Sequence, residues 1–147
     1  MEYLSFDHLS FDENLWAGIQ QLDELIFDSR DAQGIRKELE KKPVFLTLIA
    51  VDEGNVVGYK IGYEDRTCRF YSWLGGVYPE YRRQGVASEL MRLQHRWCRT
   101  NGYQVIRTHT KNKWRDMLIL DLRFGFNIIG ALTDELGETK IVLDKKL

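Results

Sequence analysis

Hydrophobic residues recur along this chain with two different periods. Between residues 12 and 27 they stand three or four positions apart, which predicts a helix with one apolar face. The residues of that face are Leu15, Ile19, Leu22 and Ile26. Asp12 precedes the first of them, and its carboxylate is predicted to cap the helix.

Short apolar runs, either alternating or continuous, predict strands at seven places. These runs are residues 3–6, 44–51, 56–64, 68–77, 105–110, 127–132 and 140–143. Turn-forming residues at 52–55 and 65–67 join the second, third and fourth runs, so we expect an antiparallel meander there. The fifth strand is expected to lie parallel to the fourth, because a helix separates them and such crossovers are right-handed.

Three further helices are predicted among these strands. They cover residues 31–41, a segment from residue 86 to the stop at Asn101 and Gly102, and residues 113–124. The second of the three is expected to turn Val86, Leu90, Leu93 and Trp97 toward the core. A chain of 147 residues suits one domain, spanning 1–147. The expected architecture is α/β, with a mixed six- or seven-stranded sheet flanked by about four helices.

The junction between the fourth strand and the third helix carries the strongest chemical signal. A basic turn marked by Gly85 runs directly into the helix, whose first N–H groups lack helical acceptors. Arg82 and Arg83 add positive charge, Gly85 permits close backbone approach, and Ser88 is expected to cap the helix. This combination predicts a pyrophosphate-binding loop. Neither a Walker sequence nor a dinucleotide glycine fingerprint occurs in the chain.

The spacing Arg82-x-x-Gly85-x-Ala87 resembles the (Arg/Gln)-x-x-Gly-x-(Gly/Ala) signature of the GCN5-related N-acetyltransferases, the GNAT family. Gly125-Phe126 matches the pair that ends the last helix in that family. The resemblance implies acetyl-CoA as cosubstrate, no metal, and a set of cofactor contacts. Those contacts are expected from Val77, Tyr78, Arg82, Arg83, Gln84, Gly85, Val86, Ala87, Ser88 and Asn112.

The resemblance further implies transfer of the acetyl group to a primary amine by direct attack in a ternary complex. Two customary residues of the family are missing, because Asp121 stands where many members carry a tyrosine and Trp114 where they carry an asparagine. Asn112 lies near the second position. Asp121 is either an exposed helix residue or, if strongly desolvated, an acid. A binding module that keeps the acyl-CoA site but performs no chemistry is the alternative function.

Three residues are candidates for the general base. His109 ends the fifth strand, and a neutral imidazole there accepts a proton directly or through water. Glu64 ends the third strand, and Tyr71 lies near the position of a catalytic glutamate in some relatives. Each residue also has a purely structural interpretation: a hydrogen-bonded strand histidine, a solvated carboxylate and a pocket-shaping ring.

The acceptor amine is left open between a small molecule, a peptide and a protein N-terminus. Tyr63, Tyr71 and Trp73 are expected to line an acceptor groove, although strand aromatics commonly just pack. Acidic residues in the first part of the chain slightly favour a cationic amine, and a solvated helix face explains them equally. These residues are Asp7, Asp12, Asp23, Asp28 and Asp31.

The overall charge of −1 argues against nucleic acid or an anionic membrane as the main partner. Cys68, placed in a strand, and Cys98, placed in a helix, have no metal-type spacing, so both are expected to be reduced. The chain shows neither a signal peptide nor a membrane-spanning run, and a cytoplasmic location is expected. Pairing of edge strands would give a homodimer.

Overall fold

The strands of the protein form one mixed sheet in a computed structural model that describes residues 1–28 and 34–147. The described strands lie in the order β1-β2-β3-β4-β5-β7-β6. Their bounds are β1 Glu2–Phe6, β2 Phe45–Asp52, β3 Asn55–Arg66, β4 Arg69–Val77, β5 Val105–Lys111, β6 Asn127–Thr133 and β7 Thr139–Lys146. The expected α/β architecture is confirmed, and the sheet has seven strands.

Four α-helices pack on this sheet in the described part of the chain. They are α1 Glu13–Phe27, α2 Gly34–Glu40, α3 Val86–Thr100 and α4 Arg115–Arg123. The carboxylate of Asp12 caps α1 as predicted, since its Oδ1 accepts a hydrogen bond of 2.7 Å from the backbone N–H of Asn14. The predicted start of the second helix at residue 31 lies outside the described residues. None of the described helices is long and apolar enough to cross a membrane.

The pairing of the central strands confirms the predicted meander and the parallel crossover. Strands β2, β3 and β4 are antiparallel neighbours, and β5 lies parallel to β4. The turn between β2 and β3 uses Glu53 and Gly54, both at positive φ. Cys68 was predicted to open the fourth strand, but it lies in the preceding turn with φ 64°. Its carbonyl accepts hydrogen bonds from the N–H groups of Gln104 and Val105, which fixes the turn beside β5.

The sheet separates two apolar cores. One lies between the sheet and α3 and α4, and includes Leu48, Phe70 and Leu90. The other lies between the sheet and α1 and α2, and includes Ile19 and Leu39. One face of β4 is therefore directed toward α3 and α4, and the other toward α1 and α2.

The inner face of α3 differs from the predicted one. Leu93 and Trp97 are only half-buried, whereas Gln94 and His95 are fully buried and Arg96 is exposed. Relative to the predicted orientation, α3 is rotated about its axis. After Leu90, the buried face of the helix therefore continues through the polar residues Gln94 and His95. The apolar residues alone did not reveal this orientation, because two buried polar side chains interrupt the stripe.

Candidate functional site

The loop between β4 and α3 presents free backbone N–H groups. Gly85 occupies the position before α3 with φ 83°, and a Cβ at this residue would meet no atom within 4 Å. The first helical bond of α3 runs from Glu89 N–H to Gly85 O at 3.0 Å, so the N–H groups of residues 86–88 have no helical acceptor. Ser88 does not cap α3, because it is the third residue of the helix and no side chain bonds the cap position.

The basic residues of this loop are exposed and partly held by the main chain. Arg82 Nε donates to Val77 O at 3.3 Å, and Gln84 Nε2 donates to Glu80 O at 3.0 Å. Arg83 adopts φ 63°, a backbone conformation that non-glycine residues rarely accept. The loop thus combines two cations with the positive end of α3, which is the arrangement that binds phosphate oxygens.

Next to this loop, β4 and β5 separate. Only the segment Arg69–Ser72 of β4 pairs with β5, where it lies parallel to Val105–Thr108. At the last pair, Thr108 Oγ1 donates to Ser72 O at 3.1 Å. Beyond it, no described strand pairs with the edge of β4 up to Val77 on the β5 side. Polar main-chain groups of residues 73–77 therefore border a fork between the two strands, which we call the β4–β5 fork.

A cavity of about 560 Å³ opens beside this fork on the face that carries α2. We call it the acceptor cavity, because Tyr63, Tyr71 and Trp73 are the residues expected from the sequence to line an acceptor groove. Its lining includes the expected residues Tyr63, Tyr71, Trp73 and His109. The ring centroids of Tyr71 and His109 are 5.1 Å apart in a T-shaped contact. Two of the three candidate bases therefore lie together at one wall.

His109 is held in a form that suits a base. Burial lowers the pKa of its imidazole below 6.5, and the charges of Lys140 and Arg107 lower it further. Its Nδ1 is buried and has no hydrogen-bond partner in the described part of the chain. The ring is thus neutral near pH 7, and because Nδ1 is buried, Nε2 is the nitrogen left to face a bound amine.

Glu64 and Asn112 do not line this cavity. Glu64 hydrogen-bonds to Tyr103, a member of the core beside α3, and this bond together with burial raises the pKa of Tyr103. Asn112 is exposed in the turn after β5, where its carbonyl accepts a 2.7 Å hydrogen bond from Arg115 Nε. Neither residue is part of the described lining of the acceptor cavity.

Asp121 is buried, which contradicts its interpretation as an exposed helix residue. Its exposed fraction is 2%, and burial raises the pKa of its carboxyl group to about 6, although the charge of Lys60 opposes the rise. Lys60 lies on β3 directly opposite Gly75 of β4, and burial lowers the pKa of its ammonium group. Both side chains are buried on the face of the sheet that carries α3 and α4, and the charge of each affects the pKa of the other.

Several residues of the site were not found from the sequence. Trp114, Lys140 and Glu38 also line the acceptor cavity. Trp114 precedes α4 and packs edge-on against Phe27 at a centroid distance of 5.4 Å. No local pattern singles out these residues, because Glu38 lies on α2, Trp114 precedes α4 and Lys140 lies on β7, so they meet only in the folded chain.

Comparison with known proteins decides the family. A family model described as acetyltransferase (GNAT) family matches residues 10–126. The chain belongs to the GNAT acetyltransferase family. The resemblance drawn from the Arg82–Ala87 spacing is thereby confirmed. Among the residues that the structure describes, no group of three or more His, Cys, Asp or Glu side chains could hold a metal ion.

Solved GNAT structures share the fold at low identity. Ard1 from Thermoplasma volcanium is 17% identical, with a TM-score of 0.83 over 99% of this chain and 97% of its own. The ribosomal-protein-S18-alanine N-acetyltransferase from Escherichia coli is 12% identical, with a TM-score of 0.80 over 99% and 94%. An aminoglycoside 6'-N-acetyltransferase complexed with coenzyme A is 14% identical, with a TM-score of 0.78 over 97% and 96%. A search of curated proteins finds no match.

Proposed function

We propose that this protein transfers an acetyl group from acetyl-CoA to a primary amine by direct attack in a ternary complex. The observation that carries the proposal is the loop from Arg82 to Ser88, where free N–H groups, two arginines and an open Gly85 converge. A coenzyme A complex of a structural neighbour supports the same donor. Val77 and Tyr78, at the end of β4, are proposed to contact the pantetheine arm beside the β4–β5 fork.

Calorimetric titration with acetyl-CoA tests the donor site. Gly85→Glu places an anion where the pyrophosphate is proposed to bind, and we expect it to abolish measurable binding. Gly102→Glu is the matched control, because Gly102 follows the other end of α3, has φ 81° and also meets no atom within 4 Å. It introduces the same charge and a similar backbone strain. Equal affinity of both variants for acetyl-CoA would refute the loop assignment.

The acceptor cavity supplies a base for the reaction. The bound thioester provides an activated acetyl carbonyl, and the neutral imidazole of His109 takes a proton from the amine, directly or through one water molecule. Tyr71 packs against His109 and is proposed to orient its ring rather than to accept the proton. Glu64 is not proposed as the base, because it faces Tyr103 on the opposite side of the sheet.

The leaving thiolate is proposed to depart without a proton donor. Above pH 6 the carboxyl group of Asp121 is mostly ionised and cannot donate a proton. Thiolates are stable enough anions to leave unassisted. Asp121→Asn is therefore expected to keep kcat within about tenfold of the wild-type value at pH 8. A loss beyond a hundredfold in a stopped assay of thiol release, with acetyl-CoA affinity intact, would make Asp121 a necessary acid.

The alternative function is an acyl-CoA-binding module without chemistry. It shares the loop and the β4–β5 fork, so binding of acetyl-CoA does not distinguish it from an enzyme. Measurement of thiol release across a broad panel of amines distinguishes the two functions. Tight binding with no release above the rate of spontaneous hydrolysis would favour the binding module.

A homodimer is also proposed, through the edge strand β6. Its side chains are exposed on both faces, and Ile128, Ile129 and Leu132 are each about half exposed, at 51%, 52% and 50%. An apolar edge strand with unpaired main-chain groups readily accepts another strand. Sedimentation equilibrium of the wild type and of Ile129→Lys measures this: a monomeric wild type at all concentrations would contradict the proposal.

A further inference from the structure

The lining of the acceptor cavity points to one class of acceptor. We infer that the acceptor is a small amine with an aromatic body and a carboxylate group, and that Lys140 binds this carboxylate. The inference rests on the acetyl transfer proposed above and adds the chemical nature of the acceptor. It follows from the aromatic wall of the cavity and from the balance of charges around it.

Aromatic rings form a continuous part of the cavity wall. The ring centroid of Tyr63 is 5.4 Å from that of Tyr71 and 5.7 Å from that of Trp73, and both contacts are T-shaped. Trp114, at the start of α4, also lines the cavity. Edge-to-face rings of this kind offer both faces and edges for a further ring. A flat aromatic body is therefore the complement of this wall.

Two charged groups of the cavity lie near oppositely charged side chains of the protein. The carboxylate of Glu38 lies 3.6 Å from Lys41 Nζ and 3.6 Å from Lys42 Nζ. The ammonium group of Lys111 lies 3.0 Å from a carboxylate oxygen of Glu138. Because internal partners already compensate these charges, neither group is the natural site for a charged acceptor.

Lys140 is the charged group of the cavity that remains uncompensated. It pairs with no carboxylate among the residues that the structure describes, and it lines the cavity. In the antiparallel β5–β7 pair it stands directly opposite Lys111, so two ammonium side chains share one face of the sheet. Glu138 and Asp134 already hold the charge of Lys111, at 3.0 Å and 3.5 Å, so Lys140 is the ammonium group of this pair that a bound anion can compensate. A carboxylate is the anion that an amine acceptor can carry there.

The acidic residues in the first part of the chain do not form a binding site for a cationic amine in this cavity. Asp12 caps α1, and Asp23 is fully buried and accepts a hydrogen bond from Tyr59. Neither belongs to the described cavity lining, and Asp31 lies outside the described residues. The positive charge of Lys140 also favours the uncharged, nucleophilic form of a nearby amine. The charge of the cavity thus agrees with an anionic acceptor and opposes a polycationic one.

The experiment compares phenylalanine with phenylalaninamide, which share the ring and the amine and differ in the carboxylate. Trp73 and Trp114 line the cavity, so acceptor binding in the presence of CoA is followed by tryptophan fluorescence. This readout is independent of amine reactivity. Acetylation rates with acetyl-CoA are measured on the same panel, with spermidine as a polycationic amine. The wild type is expected to bind phenylalanine about tenfold more tightly than the amide.

Lys140→Glu is expected to reverse this order, so that the amide binds more tightly than phenylalanine. Lys146→Glu is the matched control: it makes the same charge change on the same face of β7, about 20 Å along the strand, and should leave the order unchanged. Spermidine is expected to bind weakly to the wild type. The reversal is specific to a carboxylate beside Lys140, because loss of folding would weaken both ligands alike.

Three results overturn the inference: no binding of phenylalanine at millimolar concentration, equal binding of acid and amide, or an unchanged order in Lys140→Glu. Failure of the transfer reaction gives a different result. In that case phenylalanine still binds with the expected order, while no thiol is released. Turnover that prefers spermidine or the amide would support acetyl transfer and refute the acceptor class.

Discussion

His109 combines a neutral imidazole with a place on the cavity wall, so its protonation should control turnover. The pKa of its imidazole is lowered below 6.5, so protonation at lower pH is expected to remove the proposed base. We expect kcat to fall as pH decreases below 6.5, and His109→Gln to lower kcat about a hundredfold above that pH. The measurement is the ratio of the kcat of the wild type to the kcat of His109→Gln as a function of pH. The titration of the acceptor amine affects both proteins equally and cancels in this ratio. A flat ratio would exclude His109 as the base.

His95 should make folding stability depend on pH with a definite sign. Burial, followed by the charge of Lys145, lowers the pKa of its imidazole from 6.5 to about 3. Between these values the unfolded chain binds a proton that the folded chain does not, so the free energy of unfolding decreases as pH falls. The loss approaches about 1.4 kcal/mol per pH unit for one proton.

Replacing His95 by glutamine tests this linkage through urea denaturation between pH 4 and 7. The variant should lose stability less steeply than the wild type as pH falls. Asp121 acts with the opposite sign: its raised pKa adds stability that is lost as pH rises from about 4 to about 6. It is present in both proteins and cancels in the difference. His8→Gln, at an exposed position, is the control and should keep the wild-type slope.

At the level of secondary structure elements, α3 is seated directly on β3. A Cβ at Gly58 would lie 2.9 Å from Val86 Cγ1 and 3.3 Å from Leu90 Cδ1. Gly58→Ala is therefore expected to displace the first turns of α3, lower the free energy of unfolding by about 1–3 kcal/mol and weaken acetyl-CoA binding. Chemical denaturation and calorimetry measure the two effects.

Gly130→Ala controls for the change from glycine to alanine in a strand. Gly130 lies in β6, and a Cβ there would meet no atom within 4 Å. This variant should be neutral or slightly more stable, because alanine restricts the unfolded chain. Similar destabilisation by both substitutions would mean that the contact between β3 and α3 is not the cause.

The elements were largely predictable from the sequence because their signals are local. Glu53-Gly54 marks a hairpin, Asp12 marks a helix start, and the Arg82–Ala87 spacing marks the loop. The interior of α3 was not predictable, since the burial of Gln94 and His95 depends on partners far along the chain. The position of Lys140 opposite Lys111 likewise requires the strand order β5-β7-β6, which no local pattern specifies.

At the scale of the whole molecule, the arrangement predicts sequential kinetics. The proposed donor loop adjoins α3, and the acceptor cavity opens on the face that carries α2, so both substrates can be bound together. Neither cysteine lines the described cavity, and burial raises the pKa of the Cys98 thiol to about 12. No acetyl-cysteine intermediate is expected.

Initial rates at varied concentrations of both substrates should give intersecting double-reciprocal lines. The combined variant Cys68→Ser and Cys98→Ala should retain turnover, corrected for the fraction of folded protein. Parallel lines, or activity that disappears with the cysteines while the variant stays folded, would indicate a covalent intermediate instead.

The division of the core by the sheet has a practical consequence for protein engineering. Residues that face the acceptor cavity from α2 and β7, such as Glu38 and Lys140, belong to surfaces that do not contain the loop before α3. Under the proposed function, combinatorial libraries confined to such positions are expected to change the choice of amine with little effect on the binding of acetyl-CoA. One screening assay for released thiol would then serve every member of such a library.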